Sequence, residues 1–435
     1  MKPNPGDKVE IHLAKQTYKG VLLESSESGI VMLKLESGYN IGLNRKDILE
    51  IEVIGKASEE KEDVEIKKDA DKPNIAMIIT GGTIAARLNP RKGGVDWLDT
   101  PESLLKFYPG VFDKVNVVKV EVPFMKASED MDFKDWQKLA KVAEKLLNDS
   151  SIQGIIITHG TDFLHYTSAA LSFFLRDLNK PVILTYSQRS IDRASSDANL
   201  NLQCAALAAI SDMAEVMIVG HANTNDDFCY AMPGTKVRKM HTSRRDAFKV
   251  VNAKPFAKID SENVIKLSDY RLRNKSNVKV DSKFEEEVAL IKVYPGQDPH
   301  ILDYYLKNKY KGIVLEMGGL GHVPTQRARH SWIKKLKEVQ KKSLAASEDS
   351  KESSEGMIVC AVSQTIYGRL DPLVYSNGRE IMGTGVIYLE DMLAETALVK
   401  LGWVLGHKEW SSTKDKVKEK MLKNFSHEVN DRLEE

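Results

Sequence analysis

Cysteine is scarce in this sequence. Cys204, Cys229 and Cys360 are widely spaced and odd in number, which fits reduced thiols in a cytoplasm and argues against a disulfide framework. No Cys-x-x-Cys and no His/Cys pair at zinc spacing occurs, so no metal site is expected. Net charge is nearly absent too. At +1 it gives no global reason to bind nucleic acid or an acidic membrane surface, and any RNA contact has to come from a local patch or a partner. No apolar run approaches the roughly 18 residues of a membrane span. The opening MKPNPGDKVE lacks the apolar stretch of a secretion signal, so a cytoplasmic location is expected. Also missing is a G-x-x-x-x-G-K-[ST] loop or other recognisable phosphate cradle, which places any ATP-dependent step outside this chain. Internal repeats are not found.

What remains is an ordinary globular composition, 42% apolar and 29% charged over 435 residues, room for about two or three domains. Residues 1–56 hold KVEIHL, KGVLLES, GIVMLKL and DILEIEVIG, punctuated by Gly20, Gly29 and Gly38. Short alternating or β-branched runs at that spacing predict a small, SH3-like β-barrel. Its charges cancel, eight Lys/Arg against eight Asp/Glu, so it reads as a docking or spacer module before an RNA grip. Residues 57–73 are nearly all charge and read as a solvated linker.

At Asn74 the texture changes. Asn74–Thr80 is a continuous apolar run, and 115–122, 154–160, 181–187 and 214–220 repeat it, as strands buried on both faces of a parallel sheet do. Between them, Phe133, Trp136, Leu139, Ala140, Ala143 and Leu147 recur at helical spacing behind Asp132, a plausible N-cap. This predicts a doubly wound α/β domain over 74–270, with its ligand at the carboxyl ends of the strands. Residues 260–284 are polar and strand-poor, a crossing to a second, smaller α/β domain over 285–435 built on 287–295, 312–319 and 356–363. The stretch 341–356 reads as a surface insert. Val417, Met421, Phe425, Val429 and Leu433, every four residues, predict one closing helix.

Three places have residues suited to chemistry. Thr80-Gly81-Gly82-Thr83-Ile84-Ala85 follows the first buried strand, and paired glycines let a substrate approach the main chain. His159-Gly160-Thr161-Asp162 ends a second strand, so Thr83 and Thr161 would face one crevice. Threonine is a weak nucleophile without an adjacent base; a lysine serves if burial keeps it neutral. The segment 234–248 offers Lys236, Arg238, Lys239, Arg244 and Arg245. Spacing alone does not choose among these, and a solvated basic loop accounts for them as well.

These residues carry a resemblance. TGGTIA and HGTD, in this order and spacing, resemble the two signatures of the bacterial-type L-asparaginase family. The likeness extends to Ser128-Glu129-Asp130-Met131, to VRKMHT and to GTGVIYLEDMLAETALVKLGW at 383–403, about residues 74–410 in all. It implies an asparaginase-like, two-domain doubly wound core and acyl transfer at a side-chain amide. Thr83 would be the nucleophile or its partner. Thr161 would be the second hydroxyl, with Lys239 as its base and Asp162 orienting Lys239 and the substrate α-amino group. Ser128 would hold the α-carboxylate, with Glu129 near the α-amino end. One departure stands out. Many members place a tyrosine on the loop after TGGTIA, whereas here ARLNPRKGGVDWLDTPESL contains none, and the choice between Thr83 and Thr161 as first nucleophile stays open.

An asparaginase-like core behind a small β-barrel, including LESGYNIGL at 35–43, resembles the D-type subunit family of archaeal glutamyl-tRNA(Gln) amidotransferases. The resemblance implies a glutaminase whose ammonia passes to the E-type subunit, which uses ATP and Mg2+ to activate and amidate Glu-tRNA(Gln). It further implies that tRNA is contacted mainly through that partner and that this chain forms a homodimer inside a heterotetramer, with no cofactor of its own. The alternatives are a free-standing cytoplasmic L-asparaginase, marked by robust asparagine hydrolysis without a partner, and a scaffold that has lost catalysis.

Overall fold

A computed structural model describes residues 3–25, 27–37, 39–56, 69–89, 94–97, 108–191, 193, 195–341 and 356–432. Five short strands come first: β1 (Lys8–Leu13), β2 (Thr17–Leu23), β3 (Ile30–Leu35), β4 (Asn40–Asn44) and β5 (Ile48–Gly55). They form an antiparallel sheet in the order β4-β3-β2-β1-β5. Strand alternation sends Val9, Ile11, Leu22, Val31, Leu33 and Leu43 into one small core. Its end strands, β4 and β5, do not pair with each other among the described residues, so the expected barrel is not closed by hydrogen bonds. Residues 57–68 of the expected linker lie outside the described residues. Its last part is not simply solvated, because the Asn116 amide donates to the carbonyls of Asp69 (2.7 Å) and Lys72 (2.9 Å).

The larger α/β unit is built on β6 (Asn74–Ile79), β7 (Asn116–Glu121), β8 (Ile155–Thr158), β9 (Val182–Thr185) and β10 (Val216–His221), all parallel. Three antiparallel strands, β11 (Cys229–Pro233), β12 (Ala257–Ile259) and β13 (Val264–Lys266), extend it to the order β13-β12-β11-β10-β9-β8-β6-β7. The chain leaves β6 to one side for β7 and returns on the other side as β8. Adjacent strand ends that diverge in this way open a crevice. The helix expected over 132–147 is α1 (Phe133–Leu147), started by a capping box between Asp132 and Asp135. Its faces and those of α2 (Leu164–Phe174) and α3 (Ala198–Ile210) cover the two sides of the sheet, which is why the strands read as unbroken apolar runs.

The second unit has four parallel strands, β14 (Val288–Lys292), β15 (Gly312–Met317), β16 (Ile358–Ser363) and β17 (Ile387–Tyr388). Its helix α4 (Ala394–Leu405) packs back on α2, where Trp403 stacks on Phe173 with ring centroids 5.4 Å apart. One apolar cluster therefore runs through both units. The crossing at 260–284 is less bare than expected: it supplies β13, and Lys279–Val280 pairs with Leu175–Arg176.

Most of the expected insert, 342–355, lies outside the described residues. The closing helix, by contrast, is shorter than its stripe. It is α5 (Lys414–Leu422), capped by Thr413. Beyond it the buried Lys400 ammonium bonds the carbonyls of Met421 and Lys423, and Glu428 accepts from the backbone N–H of Phe425 and Ser426. Side chains thus satisfy the main chain that a longer helix would have paired, so Phe425 and Val429 belong to a packed irregular tail. Leu433 lies outside the described residues. Among the described residues no helix is long and apolar enough to cross a membrane.

Candidate active site

The turn after β6 meets the turn after β8. Thr80 donates from its backbone N–H and its hydroxyl to the Thr158 carbonyl, at 3.2 and 2.8 Å. Gly82 has φ +83, and a Cβ built there would stand 2.6 Å from backbone atoms of Gly160 and His159. Only glycine permits that approach. Thr83 and Thr161 each follow by one residue the two glycines whose backbones meet, so the two turns that carry the expected hydroxyls are neighbours. Thr83 is exposed at the start of a short 3-10 turn, Thr83–Ala85.

From the other side comes the segment after β7. The Lys126 N–H donates to the Thr80 carbonyl (2.9 Å), and Ser128, 4% exposed, packs where Gly160 lacks a side chain. The Ser128 hydroxyl accepts from the Phe163 N–H and donates to Glu129, both at 3.3 Å. Ser128 therefore lies against the turn that carries Thr161, with Glu129 beside it.

The basic group arrives on a two-stranded ribbon, Val237–Lys239 against Phe248–Val250. Lys239 Nζ lies 2.8 Å from Thr161 Oγ1 and 2.7 Å from Asp162 Oδ1. Lys239 is 9% exposed and Asp162 60%, so the amine is held within the protein while the carboxylate faces the opening. The other cations of the segment are committed elsewhere. Lys236 is fully buried against Asp391, Arg238 pairs with Glu395 at 3.1 Å, Arg244 with Asp246, and Arg245 with Asp226. Geometry thus selects the lysine that spacing left among five candidates.

A groove of about 380 Å³ adjoins this contact, lined in part by Asp162, His165, Tyr166, Arg238, Lys239 and Glu395. That volume suits a small polar substrate. A larger cavity, about 490 Å³ beside Ile191, Arg193 and Asp226, touches none of the residues singled out at the two turns. The groove is the candidate site because Lys239 and Asp162 line it and Lys239 also reaches the Thr161 hydroxyl.

Sequence reasoning missed the supports. His159 bonds the Gly160 carbonyl through Nδ1 (2.7 Å) and the Thr167 hydroxyl through Nε2 (2.9 Å). A carbonyl only accepts, so Nδ1 carries the proton and Thr167 donates to Nε2. Burial pushes His159 down to about 4, keeping it neutral as a brace for the turn. His165 is held down to about 3 by burial, then by the charges of Arg238 and Lys239. Glu395 is shifted upward by burial, which Arg238 opposes. The loop after TGGTIA, 86–104, holds no tyrosine; past it, the Tyr108 hydroxyl donates to the Ile84 carbonyl (2.8 Å) and anchors the turn. Between Ala85 and Tyr108, Ala86–Asn89 and Gly94–Trp97 pair as a ribbon, and 90–93 and 98–107 lie outside the described residues. A position inside HGTD was the available signal for His159; none marked Thr167.

Three family models match the chain. The N-terminal asparaginase model covers residues 74–271, the glutaminase/asparaginase C-terminal domain 287–421, and the GatD N-terminal domain 3–54. The D-type subunit of the Pyrococcus furiosus glutamyl-tRNA(Gln) amidotransferase is 44% identical over 99% of this chain and 93% of its own length. The protein of the same name from Methanobrevibacter smithii is 41% identical over 98% and 94%. Among solved structures, the thermostable L-asparaginase from Thermococcus kodakarensis superposes with a TM-score of 0.70 at 26% identity, over 82% of this chain and all of its own. L-asparaginase I from Vibrio cholerae gives 0.66 at 25%, over 82% of this chain and 99% of its own.

Proposed function

The chain belongs to the D-type subunit family of glutamyl-tRNA(Gln) amidotransferases, and from that premise we propose that it is a glutaminase. It hydrolyses the side-chain amide of glutamine and supplies the ammonia that converts Glu-tRNA(Gln) to Gln-tRNA(Gln). The observation that carries the reading is the Lys239 amine within hydrogen-bond reach of both Thr161 and Asp162. The sheet formed by residues 8–55 separates the chain from an asparaginase core standing alone.

On this reading Ser128 holds the substrate α-carboxylate, and Glu129 with Asp162 takes the α-amino group. Lys239, in its amine form, accepts the Thr161 proton as Oγ1 attacks the side-chain carbonyl carbon. The C=O electrons move to oxygen; as they return, the C–N bond breaks, and the lysine proton goes to the departing nitrogen, which leaves as ammonia. Water, deprotonated by the same amine, then adds to the threonyl ester; as the ester C–O bond breaks, the lysine returns the proton to Thr161 Oγ1 and glutamate is released. Thr83 contributes its hydroxyl at the scissile carbonyl from the facing turn. No step calls for a cofactor or metal in this chain.

One component of a multi-subunit enzyme works with at least one other. We take that partner to be the E-type subunit, carrying ATP, Mg2+ and most of the contact with Glu-tRNA(Gln), and this chain to pair with a second copy in a heterotetramer. The near-zero charge supports leaving the tRNA to the partner. The reading is tested by ammonia release from glutamine and from asparagine. Wild type should act on glutamine, and Lys239→Ala should lose about 100-fold or more while staying folded. Robust asparagine hydrolysis by the chain alone would favour a free-standing asparaginase instead.

A further inference from the structure

The ribbon that carries Lys239 is too short to orient itself, since an isolated two-stranded hairpin is marginal in water. Three of the four residues before Lys239 are instead fastened to the second α/β unit. The Thr235 carbonyl accepts from the Thr396 hydroxyl at 2.8 Å. Lys236 Nζ bonds Asp391 through its carboxylate at 2.7 Å and its carbonyl at 3.1 Å, with both side chains fully buried. Arg238 Nε lies 3.1 Å from Glu395 Oε1. Asp391, Glu395 and Thr396 sit together where the chain enters α4, about 155–161 residues from their partners. The remaining residue, Val237, is buried in the shared apolar cluster.

We infer that Asp391, Glu395 and Thr396 are positioning residues: they fix the backbone at 235–238 and so hold the Lys239 amine against Thr161. The inference rests on Lys239 being the base of the proposed reaction. A lysine has a long, flexible stem, so the placement of its amine depends on where its root is pinned. Buried ionic and hydrogen bonds set that root far more tightly than a solvated loop does. Arg238 adds a second consequence. Glu395 engages its guanidinium at 3.1 Å, while Lys239 is the basic side chain that reaches the Thr161 hydroxyl. The residues proposed to bind substrate, Ser128, Glu129 and Asp162, hang from other segments, so loosening the anchor should lower turnover more than it weakens binding.

The test is steady-state ammonia release from glutamine by the assembled enzyme, with thermal melts on each variant. All three anchors are buried: Thr396→Val removes its hydrogen bond, and Glu395→Gln and Asp391→Asn take the charge from theirs. A misplacement of about 1 Å at a reacting group costs about 100-fold. The inference therefore expects kcat to fall about 10- to 100-fold with KM for glutamine within about 3-fold, at temperatures where each variant is folded. Should Asp391→Asn not fold, Glu395→Gln and Thr396→Val decide the matter. Folded variants with wild-type kcat, or with a raised KM and unchanged kcat, would overturn the inference and leave the glutaminase reading intact. Full activity in Lys239→Ala would instead remove the reading on which it rests.

Discussion

Lys239 Nζ stands 2.8 Å from Thr161 Oγ1, although the two residues are 78 apart in sequence. On the proposed mechanism the contact gives Thr161 its base, and no such contact is seen for the exposed Thr83 among the described residues. Thr161→Ser keeps the hydroxyl and should keep much of the rate, whereas Thr161→Val should lose about 100-fold to 10,000-fold in kcat. Mass spectrometry of enzyme quenched during turnover should find the acyl group on Thr161. An acyl group on Thr83 would exchange the roles of the two hydroxyls.

Ser128 is buried, and its hydroxyl joins Glu129 and the Phe163 N–H at the edge of the crevice. If it holds the substrate carboxylate, Ser128→Ala removes one hydrogen bond to a charged group, worth about 1.5–3 kcal/mol. KM for glutamine should rise roughly 10- to 100-fold with a smaller change in kcat, as measured by initial rates. An unchanged KM would remove Ser128 from substrate binding.

Gly82 tests the meeting of the two turns. A Cβ there would press on the backbone of Gly160 and His159 at a φ of +83, and backbone cannot swing aside as a side-chain tip can. Gly82→Ala should lower stability by about 1–3 kcal/mol and reduce activity about 100-fold. Gly29→Ala, with nothing within 4 Å of its Cβ position, is the control and should match wild type in both melting temperature and rate.

Buried neutral histidines give the fold an acid limit. His159, held at about 4 against an ordinary 6.5, stays unprotonated in the folded chain through a range where the unfolded chain takes up a proton. Its contribution is therefore complete above about pH 6.5 and is lost as pH falls toward 4, about 3 kcal/mol in all. His165, at about 3, carries the same trend lower. Melting temperature should be flat above about pH 7 and fall between pH 6.5 and 4, less steeply in His159→Gln. A His159→Gln curve parallel to wild type would contradict this.

The parallel strands were legible because helices cover both faces, leaving continuous apolar runs at Asn74–Ile79 and Ile155–Thr158 with threonine and glycine at their ends. Helix α1 was legible because its apolar period and its cap agree. The choice of Lys239 was not legible from spacing. Lys236, Arg238, Arg244 and Arg245 are equally basic; partners distant in sequence, Asp391, Glu395 and Asp226, engage three of them, and the nearby Asp246 engages Arg244. Family resemblance supplied the choice before any contact was visible. The tail misled for a related reason: a period of four at Val417, Met421, Phe425 and Val429 does not show that Lys400 and Glu428 satisfy the main chain past Leu422.

The most direct measurement follows the amide nitrogen. Glutamine labelled with nitrogen-15 in its side chain is supplied to the chain with its ATP-using partner and Glu-tRNA(Gln), and the glutamine released from the product tRNA is analysed by mass. The account predicts labelled Gln-tRNA(Gln) with wild type and almost none with Lys239→Ala, which regains product when free ammonia is added. Labelled product at the wild-type rate from Lys239→Ala would contradict the assignment of the Thr161–Lys239 pair as the source of that nitrogen.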